Sequence, residues 1–218
     1  MKWQLDLKRD IRFGNEKDDI DFGVPEIFPD LNRCRFWREP YRAFSFNDGK
    51  KLLEQFTSIK DKCRVILEIG VDRNGRGEGH NYVPSSSDVL IENKNKETIY
   101  LGIDIDDKSY LDAPENNIYT LRCQSQNFEK VREKLKSLGV EEIDFYFIDG
   151  WHSINQVLLE WEYTDLLSPY GIVGFHDTRY HPGPRYFINN LDTSRWNVIP
   201  DACVEYDDDW GIGFASKK

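Results

Sequence analysis

The stretch "EIDFYFIDGWHS", Glu142–Ser153, decides the fold. An apolar and aromatic run ends in Asp149, Gly150, Trp151 and His152. A second stretch, "GIVGFHDT" (171–178), ends in His176 and Asp177. Continuous apolar runs of this length are the mark of strands buried on both faces, as in a parallel sheet. Two such strands each ending in an aspartate with a histidine nearby pose a choice. Turn chemistry accounts for Asp-Gly and for an Asp that caps the next helix. A metal or proton-transfer site accounts for both pairs at once.

Working outward, the same alternation recurs. "CRVILEIGV" (63–71), "TIYLGIDI" (98–105) and "NIYTLRCQ" (117–124) read as strands. "SSSDVLIENK" (85–94) begins with helix caps, and "NFEKVREKLKSLG" (127–139) is amphipathic. In the latter Phe128, Val131, Leu135 and Leu138 share one face, and Gly139 is the stop. "NDGKKLLEQFTSIKDK" (47–62) places Leu52, Leu53, Phe56 and Ile59 at helical spacing, with Asn47 or Asp48 as cap. "SINQVLLEWEYTDLLSPYG" (153–171) reads as a helix and a turn. "WNVIPDA" (196–202) and "GIGFASK" (211–217) can pair at an edge. Strands alternating with helices predict an α/β domain, with helices on both faces of a parallel sheet.

The chain has 218 residues, room for one α/β domain over 46–218. Residues 1–45 are rich in aromatics, Pro and charge, and are expected to form an extension packed on that domain. Such an aromatic segment can also serve self-association. A net charge of −10 disfavours nucleic acid, whose phosphates it would repel. The densest basic cluster, "NRCRFWREPYR" (32–42), is interrupted by Glu39 and reads as a solvated surface. Cys34, Cys63, Cys123 and Cys203 form no CxxC pair, so buried free thiols of a reducing, cytoplasmic setting fit better than zinc or disulfides. No apolar run approaches the roughly 18 residues of a membrane span.

In an open parallel sheet, ligands sit beyond the carboxyl ends of the strands. Those ends deliver Glu68 and Gly70, then Asp104, then Gln124 and Ser125, then Asp149 and His152, then His176 and Asp177. Polar and small groups thus gather on one rim. Gly70 lets a ligand approach the backbone. Asp104 can accept hydrogen bonds from a ribose diol. Gln124 can both donate to and accept from a base edge. Asp149 and Asp177 on neighbouring strands repel unless a hard divalent cation such as magnesium joins them. His152 or His176 can accept a proton near neutral pH. Each residue also has a structural reading. Glu68 can simply accept amide hydrogens, Asp149 and Asp177 can cap, and His176 can be a satisfied core histidine. His80 and His181 read as surface loop residues.

Taken in order, "VILEIG" (65–70), "YLGIDI" (100–105) and "FYFIDGWHSINQVLLEWEYTDLLSPYGIVGFHDT" (145–178) resemble the class I S-adenosylmethionine-dependent methyltransferases. Within them the chain is most similar to the small-molecule group that includes macrocin O-methyltransferase and the cephalosporin hydroxylase-like proteins. The pattern covers residues 63–180. The resemblance implies a Rossmann-like seven-stranded sheet with an antiparallel final strand. It implies S-adenosylmethionine over Glu68–Gly70, its ribose on Asp104, and its adenine near Gln124 and Ser125. It further implies a divalent cation on Asp149 and Asp177, with His176 beside them, and proton acceptance by His152. The implied reaction is O-methyl transfer to a small polar acceptor such as a sugar. Metal-assisted hydrolysis on the same rim is an alternative reading, as is a non-catalytic relative that binds a nucleotide-like ligand or a partner. The chain departs from the pattern in the long segment "EIGVDRNGRGEGHNYVPSSSDVL" (68–90), where the family has a compact glycine-rich turn, and in "CQS" (123–125), where an acid is common.

Overall fold

The computed structural model describes residues 3–12, 46–71, 84–179, 181–201 and 210–218. Expectations for Cys34, Cys203, His80 and the glycines at 75, 77 and 79 fall outside the described residues, as does most of the segment 1–45 expected to serve self-association. The seven strands are β1 (Val65–Ile69), β2 (Ile99–Asp104), β3 (Ile118–Arg122), β4 (Ile143–Ile148), β5 (Leu167–His176), β6 (Trp196–Ile199) and β7 (Ile212–Lys217). They form one sheet in the order β3-β2-β1-β4-β5-β7-β6. The first five run parallel, and β7 runs antiparallel between β5 and β6. The expected edge pair is therefore present, with β6 outermost.

The helices are α1 (Trp3–Asp6), α2 (Phe46–Ile59), α3 (Ser86–Asn93), α4 (Phe128–Ser137), α5 (Ile154–Glu160) and α6 (Pro182–Asn190). They complete a doubly wound α/β architecture. Side chains alternate across the sheet. Leu67, Ile69, Tyr146, Ile148 and Phe175 join one core with Val131 and Leu135 of α4 and Val157 of α5. Ile66, Phe145, Phe147 and Phe214 join the other with Leu52 and Phe56 of α2 and Leu90 of α3. All residues of β1 and β4 are buried, which explains why their sequences lack an apolar–polar alternation. Gly139 ends α4 in the left-handed region, at φ +72°. Among the described residues, no helix is long and apolar enough to cross a membrane.

The chain departs from the sequence expectations in three places. Asp48 does not precede α2 as a cap. It lies in the first turn, fully buried. β5 begins at Leu167, so "LSPYG" is strand and not turn, with a register irregularity against β4 between Ile143 and Phe145. α6 was not foreseen. Pro182 opens it, where a missing N–H costs nothing. The described part of the N-terminal segment, 3–12, packs on the domain. Leu7 and Ile11 are buried, Leu7 bridges Leu191, and Asp6 accepts from Trp161 Nε1 at 2.9 Å.

Candidate active site

The strand order reverses between β1 and β4, and there the flanking connections leave on opposite faces and open a crevice. A cleft of about 370 Å³ occupies this position. Its lining includes Gly70, Asp104, Gln124, Ser125, Trp151 and Gln156. The Asp104 carboxylate is held by two backbone amides, Val71 N on Oδ2 and Asp106 N on Oδ1, each at 2.8 Å. Each oxygen keeps further acceptor capacity toward the cleft. Ser125 is pinned: its Oγ donates to Glu160 Oε1 at 2.6 Å and accepts from Gln156 Nε2 at 2.8 Å. Glu160 is fully buried, so this network fixes the far wall. Gln124 Oε1 accepts from Gln126 Nε2 at 3.4 Å. Trp151 and Ile105 are 58% and 65% exposed and both line the cleft, so its mouth presents two apolar surfaces to a planar ligand.

Two of the predicted residues sit differently from the reason given for them. Glu68 does not line this cleft. It lies on the α3 face of β1, fully buried, accepting from Ser86 Oγ at 2.5 Å and from the Tyr100 hydroxyl. Burial pushes its carboxyl up to about 7 against the pull of these donors. Gly70 does line the cleft, but its neighbour is protein. It adopts φ +81°, and a Cβ there would stand 1.9 Å from the Asp149 carbonyl oxygen. Glycine is required because β1 and β4 converge, with Asp149 N donating to Ile69 O at 2.8 Å.

The segment Asp149–Gly150 is shared with a second feature, a cluster of buried carboxylates and imidazoles. Asp149 immediately follows β4, and His176 is the last residue of β5. His176 Nδ1 lies 3.2 Å from Asp149 Oδ1 and 3.5 Å from Asp177 Oδ1. Its Nε2 lies 3.4 Å from Asp48 Oδ2, contributed by α2. His152 Nε2 lies 2.6 Å from Asp177 Oδ2 and 3.6 Å from Asp149 Oδ1. The His152 ring packs on His181 in a tilted arrangement with centroids 4.2 Å apart, and His181 stacks in turn on Trp210. The start of α6 locks this corner, because Gly183 N donates to His152 O at 2.8 Å.

Electrostatics follow from the packing. Burial disfavours an imidazolium at His176, yet Asp177 and Asp149 outweigh it and hold its pKa well above the ordinary value. Burial likewise disfavours an ionised Asp177, but His176, His152 and His181 hold its carboxyl well below the usual range. Asp177 adopts φ +60°, an uncommon conformation for a side-chain-bearing residue and one that clusters at functional sites. Its Oδ1 is buried without a hydrogen-bond partner among the described residues. Asp149, His176 and Asp177 each present a ligand atom within 4.8 Å of the others, and so do His152, Asp177 and His181. The donor set fits a divalent cation.

The predicted residues Asp149, His152, His176 and Asp177 thus meet at one rim, beside the cleft that holds Gly70, Asp104, Gln124 and Ser125. Sequence reasoning missed Asp48, read as a cap, and His181, read as a surface residue. It also gave no role to Trp151. Asp48 carries no local signal, since its partner His176 is 128 positions away. His181 stands immediately before a Pro-Gly-Pro helix start, and that position was the available clue.

No family model matches the chain, and no curated protein matches it. Solved structures do. MycE methyltransferase of the mycinamycin biosynthetic pathway, in complex with Mg, SAH and mycinamycin VI, aligns with a TM-score of 0.52 at 17% identity. That alignment covers 77% of this chain but spans only 48% of MycE, about half its length. The Bacillus cereus O-methyltransferase in complex with SAH aligns with a TM-score of 0.57 at 17% identity, covering 89% of this chain and 91% of that one. CalS11, a TDP-rhamnose 3'-O-methyltransferase of calicheamicin biosynthesis, aligns with a TM-score of 0.53 at 13% identity, covering 90% and 96%. The chain therefore has the fold of the class I methyltransferases.

Proposed function

We propose that the protein is an S-adenosylmethionine-dependent O-methyltransferase, assisted by a divalent cation, acting on a hydroxyl of a small polar compound such as a sugar. One observation carries this reading: the cleft over Gly70 and Asp104 abuts the Asp149–His176–Asp177 cluster through the single segment Asp149–Gly150. A donor in the cleft and an acceptor at the cluster would be neighbours. Proteins of the same fold support it, since MycE holds Mg and SAH together and CalS11 methylates a sugar nucleotide.

Asp104, already oriented by Val71 and Asp106, would hold the ribose hydroxyls. Ile105 and Trp151 would flank the adenine, with Gln124 at its edge and Ser125 fixed behind. When bound, the donor supplies an electrophilic methyl group and the cation a Lewis acid that lowers the acceptor hydroxyl's pKa. Asp149, Asp177 and His176 would hold that cation. His152 Nε2, which faces the cluster, would take the acceptor's proton, with Asp177 beside it to stabilise the imidazolium. Positioning of the two reactants would supply much of the rate. The free thiols Cys63 and Cys123 fit a cytoplasmic protein, and the net charge of −10 fits a small-molecule acceptor better than nucleic acid.

Calorimetry with S-adenosylhomocysteine tests the donor site. Binding is expected, and Asp104→Ala should weaken it at least about tenfold, some 1.4 kcal/mol. No heat at millimolar ligand sinks the assignment. For the cation, Asp149→Asn combined with Asp177→Asn should abolish the thermal shift given by divalent ions. An unchanged shift in the double variant refutes those ligands.

A further inference from the structure

The cluster's donor set fits magnesium poorly. Magnesium demands a near-octahedral shell of oxygens and keeps several waters. Here a ring nitrogen stands among the carboxylate oxygens. His176 Nδ1 is 3.2 Å from Asp149 Oδ1 and 3.5 Å from Asp177 Oδ1. Such separations would suit the edges of a coordination polyhedron whose bonds are about 2.0–2.2 Å. The other nitrogen of the same ring turns away, to Asp48 Oδ2 at 3.4 Å. Asp48 and His176 are both fully buried. With a cation bound, a carboxylate behind the histidine would hold the tautomer whose proton sits on Nε2, leaving the Nδ1 lone pair for the ion. His176 Nδ1 faces both Asp149 Oδ1 and Asp177 Oδ1, the latter a buried oxygen with no hydrogen-bond partner among the described residues.

We propose that this is a mixed nitrogen–oxygen site for a first-row transition-metal dication, typified by Mn²⁺, with His176 Nδ1, Asp149 and Asp177 as ligands and Asp48 as the residue that positions His176. Imidazole is a poor ligand for magnesium and a good one for the later dications, while carboxylates keep the site open to manganese. The inference rests on the cation reading above and sharpens it. Asp48 is assigned a task that its place in the first turn of α2 does not suggest.

The test uses the full chain, stripped with a chelator and titrated with Mn²⁺. Electron paramagnetic resonance should show binding at micromolar Mn²⁺, and Mg²⁺ should displace it only at tenfold excess or more. Pulsed measurements should show ¹⁴N modulation from a coordinated ring nitrogen, lost in His176→Gln. Asp48→Asn should retain the fold and lower Mn²⁺ affinity by about 10–100-fold, the usual effect of removing a carboxylate behind a histidine ligand. Bound Mn²⁺ without nitrogen modulation overturns the proposal, and that reading needs no variant. So does modulation that persists in His176→Gln, displacement by equimolar Mg²⁺, or unchanged affinity in Asp48→Asn. S-adenosylhomocysteine calorimetry on the stripped protein runs beside it. Intact donor binding with failed nitrogen modulation refutes this inference alone. Absence of any Mn²⁺ binding overturns it together with the cation's part in the proposed reaction.

Discussion

Glu68 shows how a residue can hold a conspicuous place in a sequence motif and do other work. It lies next to the end of β1, two residues before Gly70, yet its carboxyl is buried beneath the start of α3 with a pKa near 7. The unfolded value is 4.5, so the folded state favours the protonated form. Its stabilising effect is full below the unfolded value and disappears as pH rises through the folded one. The melting temperature should therefore fall between about pH 5 and pH 8. Glu68→Gln, which keeps the shape and loses the charge, should flatten that slope in a thermal melt. An identical slope in the variant would remove Glu68 as its source. Other residues were legible for a plain reason: Asp104, Asp149, His176 and Asp177 are read from strand ends, and a parallel sheet puts strand ends together. Asp48 and His181 reach the same cluster from elements whose packing only the folded chain defines.

At the scale of elements, legibility followed the strength of the local chemistry. α3 announces itself through Ser85 and Asp88, which form a reciprocal capping box. Ser85→Ala should cost about 1 kcal/mol, or roughly 2–4 °C in melting temperature for a chain of this size. No change would mean that Asp88 alone carries the cap. By contrast, α6 hides behind Pro182, Gly183 and Pro184, which look like a turn until the first-turn tolerance for proline is weighed. The start of β5 hides in the same way behind Pro169 and Gly171, on a stretch where the strand is irregular against β4. The ten described N-terminal residues lacked any periodicity. Tertiary contacts decide them: Leu7 on Leu191 and Asp6 on Trp161.

For the molecule as a whole, the doubly wound architecture was legible because each apolar run and each amphipathic helix demanded a partner on a known face. Its consequence is a single rim where two chemically different features meet. They meet at one backbone crossing, where Gly70 of the cleft lies against the carbonyl of Asp149 in the cluster. These two positions are epistatic neighbours. A side chain at 70 cannot be accommodated within the cleft, because it must first push Asp149 aside. Gly70→Ala should destabilise the fold by at least about 2 kcal/mol in chemical denaturation. In the protein that remains folded, divalent-cation affinity should fall along with affinity for S-adenosylhomocysteine. Unaltered cation affinity in that variant would show the crossing to be compliant. If it is stiff, a lesion mapped to the donor side is inherited by the cation side, and drift at either position is constrained by the other.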